Sequence, residues 1–85
     1  MAKIQMFHFA ACPYCREAMR WMDELRREYP ELRDVHVERI DEKLHPEIAE
    51  QYDYWYVPTF FVDGKKVHEG ACTREIVERV LRMGV

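Results

Sequence analysis

A short apolar run, Ile4-Gln5-Met6-Phe7-His8-Phe9, leads almost directly into Cys12-Pro13-Tyr14-Cys15. The run is too brief for a core helix, so Lys3 to Phe9 reads as a buried strand. Pro13 then suits the first turn of a helix, where the N–H that proline lacks would have had no partner. A chain passing from strand to helix through two thiols places the first sulfur at the positive end of a helix. There the dipole and the free backbone N–H groups favour an anion. The second sulfur falls one turn further in, close to the first and more buried. Such a pair is suited to opening and closing a disulfide.

Punctuation along the rest of the chain sets the remaining elements. Ala18, Met22 and Leu25, joined by Met19 and Trp21, recur at helical spacing, and Pro30 ends that helix near Tyr29. Arg20, Arg26 and Arg27 read as a solvated face paired with Glu24 and Glu28. Val35 to Ile40 alternates as a second strand, Asp41 to Leu44 connects, and Pro46 opens a short helix carrying Ile48, Ala49 and Tyr52. Pro58 to Val62 is a third strand, Asp63-Gly64 a hairpin turn, and Lys66 to Glu69 the returning strand. Gly70 breaks it, and Thr73 caps a last helix whose Ile76, Val77, Val80 and Leu81 form one stripe. The order is β-α-β-α-β-β-α, with a parallel crossover at the start and an antiparallel hairpin later.

Bulk properties narrow the function classes. At 85 residues one domain over 1–85 is expected, with a modest core. A net charge of −3 argues against nucleic acid or an anionic membrane as the main partner. No apolar run approaches the roughly 20 residues that cross a bilayer. The start shows no secretory-signal pattern, and three cysteines do not make a secreted disulfide framework, so a reducing, cytoplasmic setting and a monomer are expected.

The element order, with Cys12-Pro13-Tyr14-Cys15 after the first strand and Val57-Pro58-Thr59 opening the third, resembles the glutaredoxin branch of the thioredoxin superfamily. Gly70-Ala71-Cys72-Thr73 is similar to that branch's Gly-Gly-Cys segment, whereas Val57-Pro58-Thr59 and the His45-to-Tyr52 stretch look equally like thioredoxin. The resemblance implies an α/β thioredoxin-like fold, a four-stranded mixed sheet with three helices. It implies a cis Val57–Pro58 bond facing the cysteine pair, leaving the Val57 backbone free to pair with an extended substrate. It also implies a substrate or glutathione groove lined by Pro13, Tyr14, Val57, Pro58, Ala71, Cys72 and Thr73. Two positions depart from the glutaredoxin pattern: Phe9 stands where a lysine usually contacts glutathione, and Thr73-Arg74 replaces an acidic residue.

The expected activity is thiol–disulfide exchange. Cys12 attacks a disulfide as thiolate and Cys15 resolves the mixed disulfide. Partners would be disulfide-containing proteins or glutathione, with glutathione as co-substrate or a flavoprotein reductase as donor, and no bound cofactor. Zinc binding is a competing reading, but zinc usually takes two such knuckles. Only Cys72 with His8, His36, His45 or His68 could complete a set. An iron–sulfur cluster shared between subunits through Cys12 and glutathione is a third reading, and a pure binding module a fourth. Cys72 reads as a structural thiol, Thr73 equally as a plain cap. Of the aromatics Tyr52, Tyr54, Trp55 and Tyr56, Tyr52 and one more are expected in the core and the rest beside the groove.

Overall fold

The computed structural model describes residues 2–85, and its layering follows from alternation in the first strand. In β1 (Ile4–His8), Ile4 and Met6 face one side of the sheet while Phe7 faces the other. β1 lies parallel to β2 (Val37–Asp41) and antiparallel to β3 (Thr59–Val62). β3 runs antiparallel to β4 (Lys65–Glu69), giving the strand order β2-β1-β3-β4. Three helices complete the expected order: α1 (Pro13–Glu28), α2 (Pro46–Ala49) and α3 (Arg74–Arg82).

Each sheet face has its own apolar layer. Beneath α1 and α3, Ile4, Met6 and Phe60 pack with Ala18, Met22 and Leu25 and with Val77, Val80 and Leu81. On the α2 side Phe7, Ile40 and Phe61 meet Tyr52 and Tyr54, with Phe7 ring centroids 4.8 Å and 5.0 Å from the two tyrosines. Burying a large side chain is worth roughly 1.5–3 kcal/mol, so both layers contribute.

Local chemistry fixes the ends. Pro30 keeps Tyr29 extended, and the Tyr29 N–H closes α1 on the Leu25 carbonyl at 2.9 Å. Asp63 and Gly64 both take positive φ, 51° and 81°, as a tight hairpin turn requires. Thr73 Oγ1 accepts the Ile76 N–H at 3.2 Å and caps α3. At the far end Gly84 lies against the sheet. A Cβ there would sit 2.9 Å from both Ile4 Cδ1 and Val35 Cγ1.

The structure corrects the sequence-based expectations at several points. The second strand begins at Val37, because the Val35 N–H bonds to the Leu32 carbonyl at 3.2 Å rather than to a strand neighbour. A 3-10 turn over Pro30–Leu32, started by its proline, fills what reads from sequence as plain connector. Arg26 is half-buried and donates to the Val35 carbonyl at 2.8 Å, so it is a structural donor rather than part of a solvated face. The expected pairing within α1 is likewise replaced: Glu28 pairs with Arg74 of α3, and Arg20 lies over the Trp21 ring at 4.6 Å.

Candidate active site

The β1–α1 junction places Cys12 at the N-cap of α1, in extended conformation, with Pro13 as the first helical residue. The N–H of Cys15, one of the donors a helix start leaves unpartnered, points at Cys12 Sγ at 3.2 Å. A sulfur thus takes the place that a serine or aspartate oxygen usually holds. No acidic residue stands in the first turn to oppose negative charge there. Cys12 retains 4% of its surface, whereas Cys15 retains none, so the second sulfur is closed to approach from outside.

The two thiols differ chemically as well as sterically. Burial pushes the Cys15 thiol up from its ordinary value, and its hydrogen bond with Cys12 adds to the effect. Cys72 is a third free thiol, packed in the layer beneath α1 and α3, and burial pushes it up to about 11, with the Glu17 charge contributing. Cys72 keeps 9% of its surface, more than Cys12, and its Sγ lies 3.5 Å from the Gly70 carbonyl. In the same segment Ala71 and Thr73 are exposed, with the Thr73 hydroxyl engaged in the α3 cap.

From across the site comes the loop before β3. The Val57–Pro58 bond is cis, and the Val57 carbonyl lies 3.9 Å from Cys12 Sγ. Pro58 is buried, and its carbonyl accepts the Gly70 N–H at 2.8 Å. Gly70 has φ +94°, a conformation that suits glycine. Cys12, Val57, Pro58 and Gly70 therefore follow one another across the site, bringing together three stretches far apart in sequence.

The aromatic stretch divides. Tyr52 and Tyr54 enter the α2-side layer, where Tyr52 shares hydrogen bonds with Gln5 and the Tyr54 hydroxyl donates to Glu42 Oε1 at 2.7 Å. Trp55 and Tyr56 stay outside, 85% and 71% exposed, as does Tyr14 between the cysteines at 58%. Singly exposed aromatics are common, but these three each stand within two residues of Cys12 or Val57 in sequence. Arg16 is exposed on the first turn, and its backbone N–H bonds to the Cys12 carbonyl at 3.1 Å.

Sequence reasoning missed two polar features here. His8 ends β1 with Nδ1 buried and without a hydrogen-bond partner among the described residues. Burial lowers this imidazole below its ordinary 6.5 and leaves it neutral at pH 7. Glu69, read only as the end of a strand, accepts the backbone N–H groups of both Trp55 and Tyr56. No periodicity announces a bond that spans fourteen positions from strand to loop.

A strand-to-helix dithiol faced by a cis-proline loop, on a four-stranded mixed sheet with three helices, defines a thiol–disulfide oxidoreductase of thioredoxin-like fold. Comparison with known proteins agrees. The family model described as thioredoxin domain matches residues 2–82. Over 80 residues the chain is 32% identical to a thioredoxin of Methanocaldococcus jannaschii, covering 94% of this chain and 92% of that one. It is also 32% identical over 82 residues to glutaredoxin 3 of Danio rerio, covering 92% of this chain but 24% of the relative. Among solved structures, oxidised thioredoxin from Plasmodium falciparum superposes with a TM-score of 0.68 at 17% identity, covering 99% of this chain and 82% of that one. The chain belongs to the thioredoxin family.

Proposed function

We propose that the chain reduces disulfides in proteins, with Cys12 as nucleophile and Cys15 as resolving thiol. The observation that carries this reading is the asymmetry of the pair. The outer sulfur receives a helix-start donor, and the inner one is sealed and held protonated by burial. Cys12 thiolate attacks one sulfur of the substrate disulfide, forming a mixed disulfide and releasing the other sulfur, which takes up a proton. Cys15 then gives up its proton and attacks Cys12 Sγ. The Cys12–Cys15 disulfide closes and the second substrate thiol leaves, so two electrons have passed to the substrate. An external two-electron donor restores the dithiol.

The Val57 carbonyl beside Cys12, with Pro13, Tyr14, Pro58 and exposed Trp55 and Tyr56, forms the surface on which an extended substrate segment is received. A flavoprotein reductase is the proposed donor, in a reducing compartment such as the cytoplasm. A second reading, in which glutathione is the co-substrate, is favoured by the Cys-Pro-Tyr-Cys sequence and by the likeness to a glutaredoxin. In that reading Ala71 and Thr73 would contact glutathione. Against it stand Phe9 and Thr73-Arg74 where the glutaredoxin pattern places lysine and an acid.

The Cys15→Ser variant separates the two readings. For protein disulfide reduction it should abolish turnover and leave Cys12 bonded to the substrate, visible as a reductant-sensitive adduct by mass spectrometry. Sustained turnover of glutathione mixed disulfides by Cys15→Ser would instead establish the second reading, since glutathione itself can then resolve the adduct. A variant that neither traps nor turns over sinks both.

A further inference from the structure

The exposed aromatic loop is held from one side by a strand that the proposed chemistry does not use. Glu69, last residue of β4, sends its carboxylate to the loop before β3. Oε2 accepts the N–H of Tyr56 at 2.9 Å and also that of Trp55. The other oxygen accepts the Lys66 ammonium at 2.7 Å, and the same ammonium reaches the Asp53 carbonyl at 3.2 Å. One ion pair on β4 thus engages three separate points of the Asp53–Tyr56 stretch.

The hold continues toward the thiols. The Thr59 hydroxyl donates to the Tyr56 carbonyl, and the Gly70 N–H, next after Glu69, donates to the Pro58 carbonyl. Tyr56, Pro58 and Thr59 are therefore tied on both sides of Val57, the residue whose carbonyl stands over Cys12. The Trp55 and Tyr56 side chains project into solvent with little packing to hold them. Backbone donors given to a carboxylate bond more strongly than those given to a neutral acceptor. The three bonds also draw the Glu69 carboxyl well below the usual range, to about 2, with the Lys66 bond contributing most.

We propose that Glu69 is a positioning residue for substrate recognition, fixing the backbone that presents Trp55, Tyr56 and Val57 to an incoming protein segment. Lys66 acts through Glu69, orienting the carboxylate and tethering Asp53. The role rests on the reading of this loop as the substrate-receiving surface. It makes a specific division: Glu69 governs how well a protein disulfide binds, not how fast the thiols exchange.

The test measures reduction of insulin and of bis(2-hydroxyethyl) disulfide, with dithiothreitol as the two-electron donor. Wild type is compared with Glu69→Ala, Glu69→Gln and Lys66→Met. Glu69→Ala should raise KM for insulin about tenfold, the size of one lost charge-assisted hydrogen bond. Its kcat for insulin and its rate with the small disulfide should stay within about twofold of wild type. Glu69→Gln should lie between, because both backbone donors meet one oxygen, which an amide can still supply. Lys66→Met should show the smallest rise.

A second readout follows the loop directly. The chain has two tryptophans, so a Trp21→Phe background leaves Trp55 as the sole fluorophore, and its anisotropy should fall in Glu69→Ala. An unchanged KM with unchanged anisotropy, or an equal loss on both disulfides, overturns the role while leaving dithiol exchange standing. Wild type inactive on both substrates overturns the functional reading itself. If Glu69→Ala does not fold, the order of Glu69→Gln and Lys66→Met against wild type decides.

Discussion

Cys12 and Cys15 sit where a strand, a helix start and a buried layer all constrain the backbone. Trp55 and Tyr56, the two residues before Val57, stand on a loop whose backbone is bonded by a carboxylate and an ammonium on β4. On the sulfur side, apolar packing and helix geometry do the positioning, and almost nothing of the two cysteines is left exposed. On the aromatic side the side chains are nearly all exposed and the positioning is polar. Reacting atoms need one geometry and protection from water. A surface that receives many segments needs anchors outside and a defined backbone beneath them. The difference shows how a small chain can hold its chemistry rigidly while keeping apolar surface available for a partner.

The comparison breaks most sharply in stability. Phe60 is fully buried in the layer beneath α1 and α3, and Phe60→Ala should cost about 3–5 kcal/mol. That is a large share of the total for a domain of this size, roughly 4–13 kcal/mol. Trp55→Ala removes a side chain of similar bulk, yet it should change stability by less than about 0.5 kcal/mol and raise KM for a protein disulfide instead. Urea unfolding and insulin reduction on the same two variants check this. Equal losses of stability would erase the distinction.

A smaller effect sharpens the sulfur side. Cys72 is raised from 9.0 to about 11 in the folded chain, so above pH 9 the unfolded chain loses a proton that the folded chain keeps. Unfolded then binds fewer protons than folded, and stability falls as pH rises. The contribution is fully present below 9 and is lost as pH climbs toward 11, by at most about 2.7 kcal/mol and less with solvent screening. Cys15, also raised by burial, adds to the same alkaline loss. Cys72→Ala should flatten part of the decline between about pH 9 and 11 in urea unfolding. An undiminished slope would show that the Cys72 thiol ionises freely in the fold.

Much of this arrangement is legible in the residues because punctuation coincides with structure. Pro13, Pro30, Pro46 and Pro58 each fall at the edge of an element, Asp63-Gly64 turns the hairpin, and Thr73 caps the last helix. The split of the aromatic cluster into Tyr52 and Tyr54 inside and Trp55 and Tyr56 outside is half legible, since sequence places two of the four in the core without naming the second. The misses share a cause. Val35 reads as strand because it is apolar and lies beside an alternating run, but its backbone is claimed by Leu32 and Arg26. Arg26 reads as solvated because it is charged, and Glu69 as a strand end because nothing local marks its partners. Periodicity reports which face a residue takes. It carries no record of a side chain that reaches another element's backbone.

The central claim is that Cys12, although not the most exposed thiol, is the reactive one and that it pairs with Cys15. Residue accessibility alone would favour Cys72, 9% exposed against 4% for Cys12. Brief alkylation of the reduced, folded protein at pH 7 with iodoacetamide, followed by peptide mapping, distinguishes the two. The account predicts label on Cys12 first, Cys15 and Cys72 protected until unfolding, and loss of Cys12 labelling after mild oxidation as the Cys12–Cys15 disulfide forms. Label entering Cys72 or Cys15 as fast as Cys12, or oxidation that leaves Cys12 and Cys15 unlinked, would contradict it.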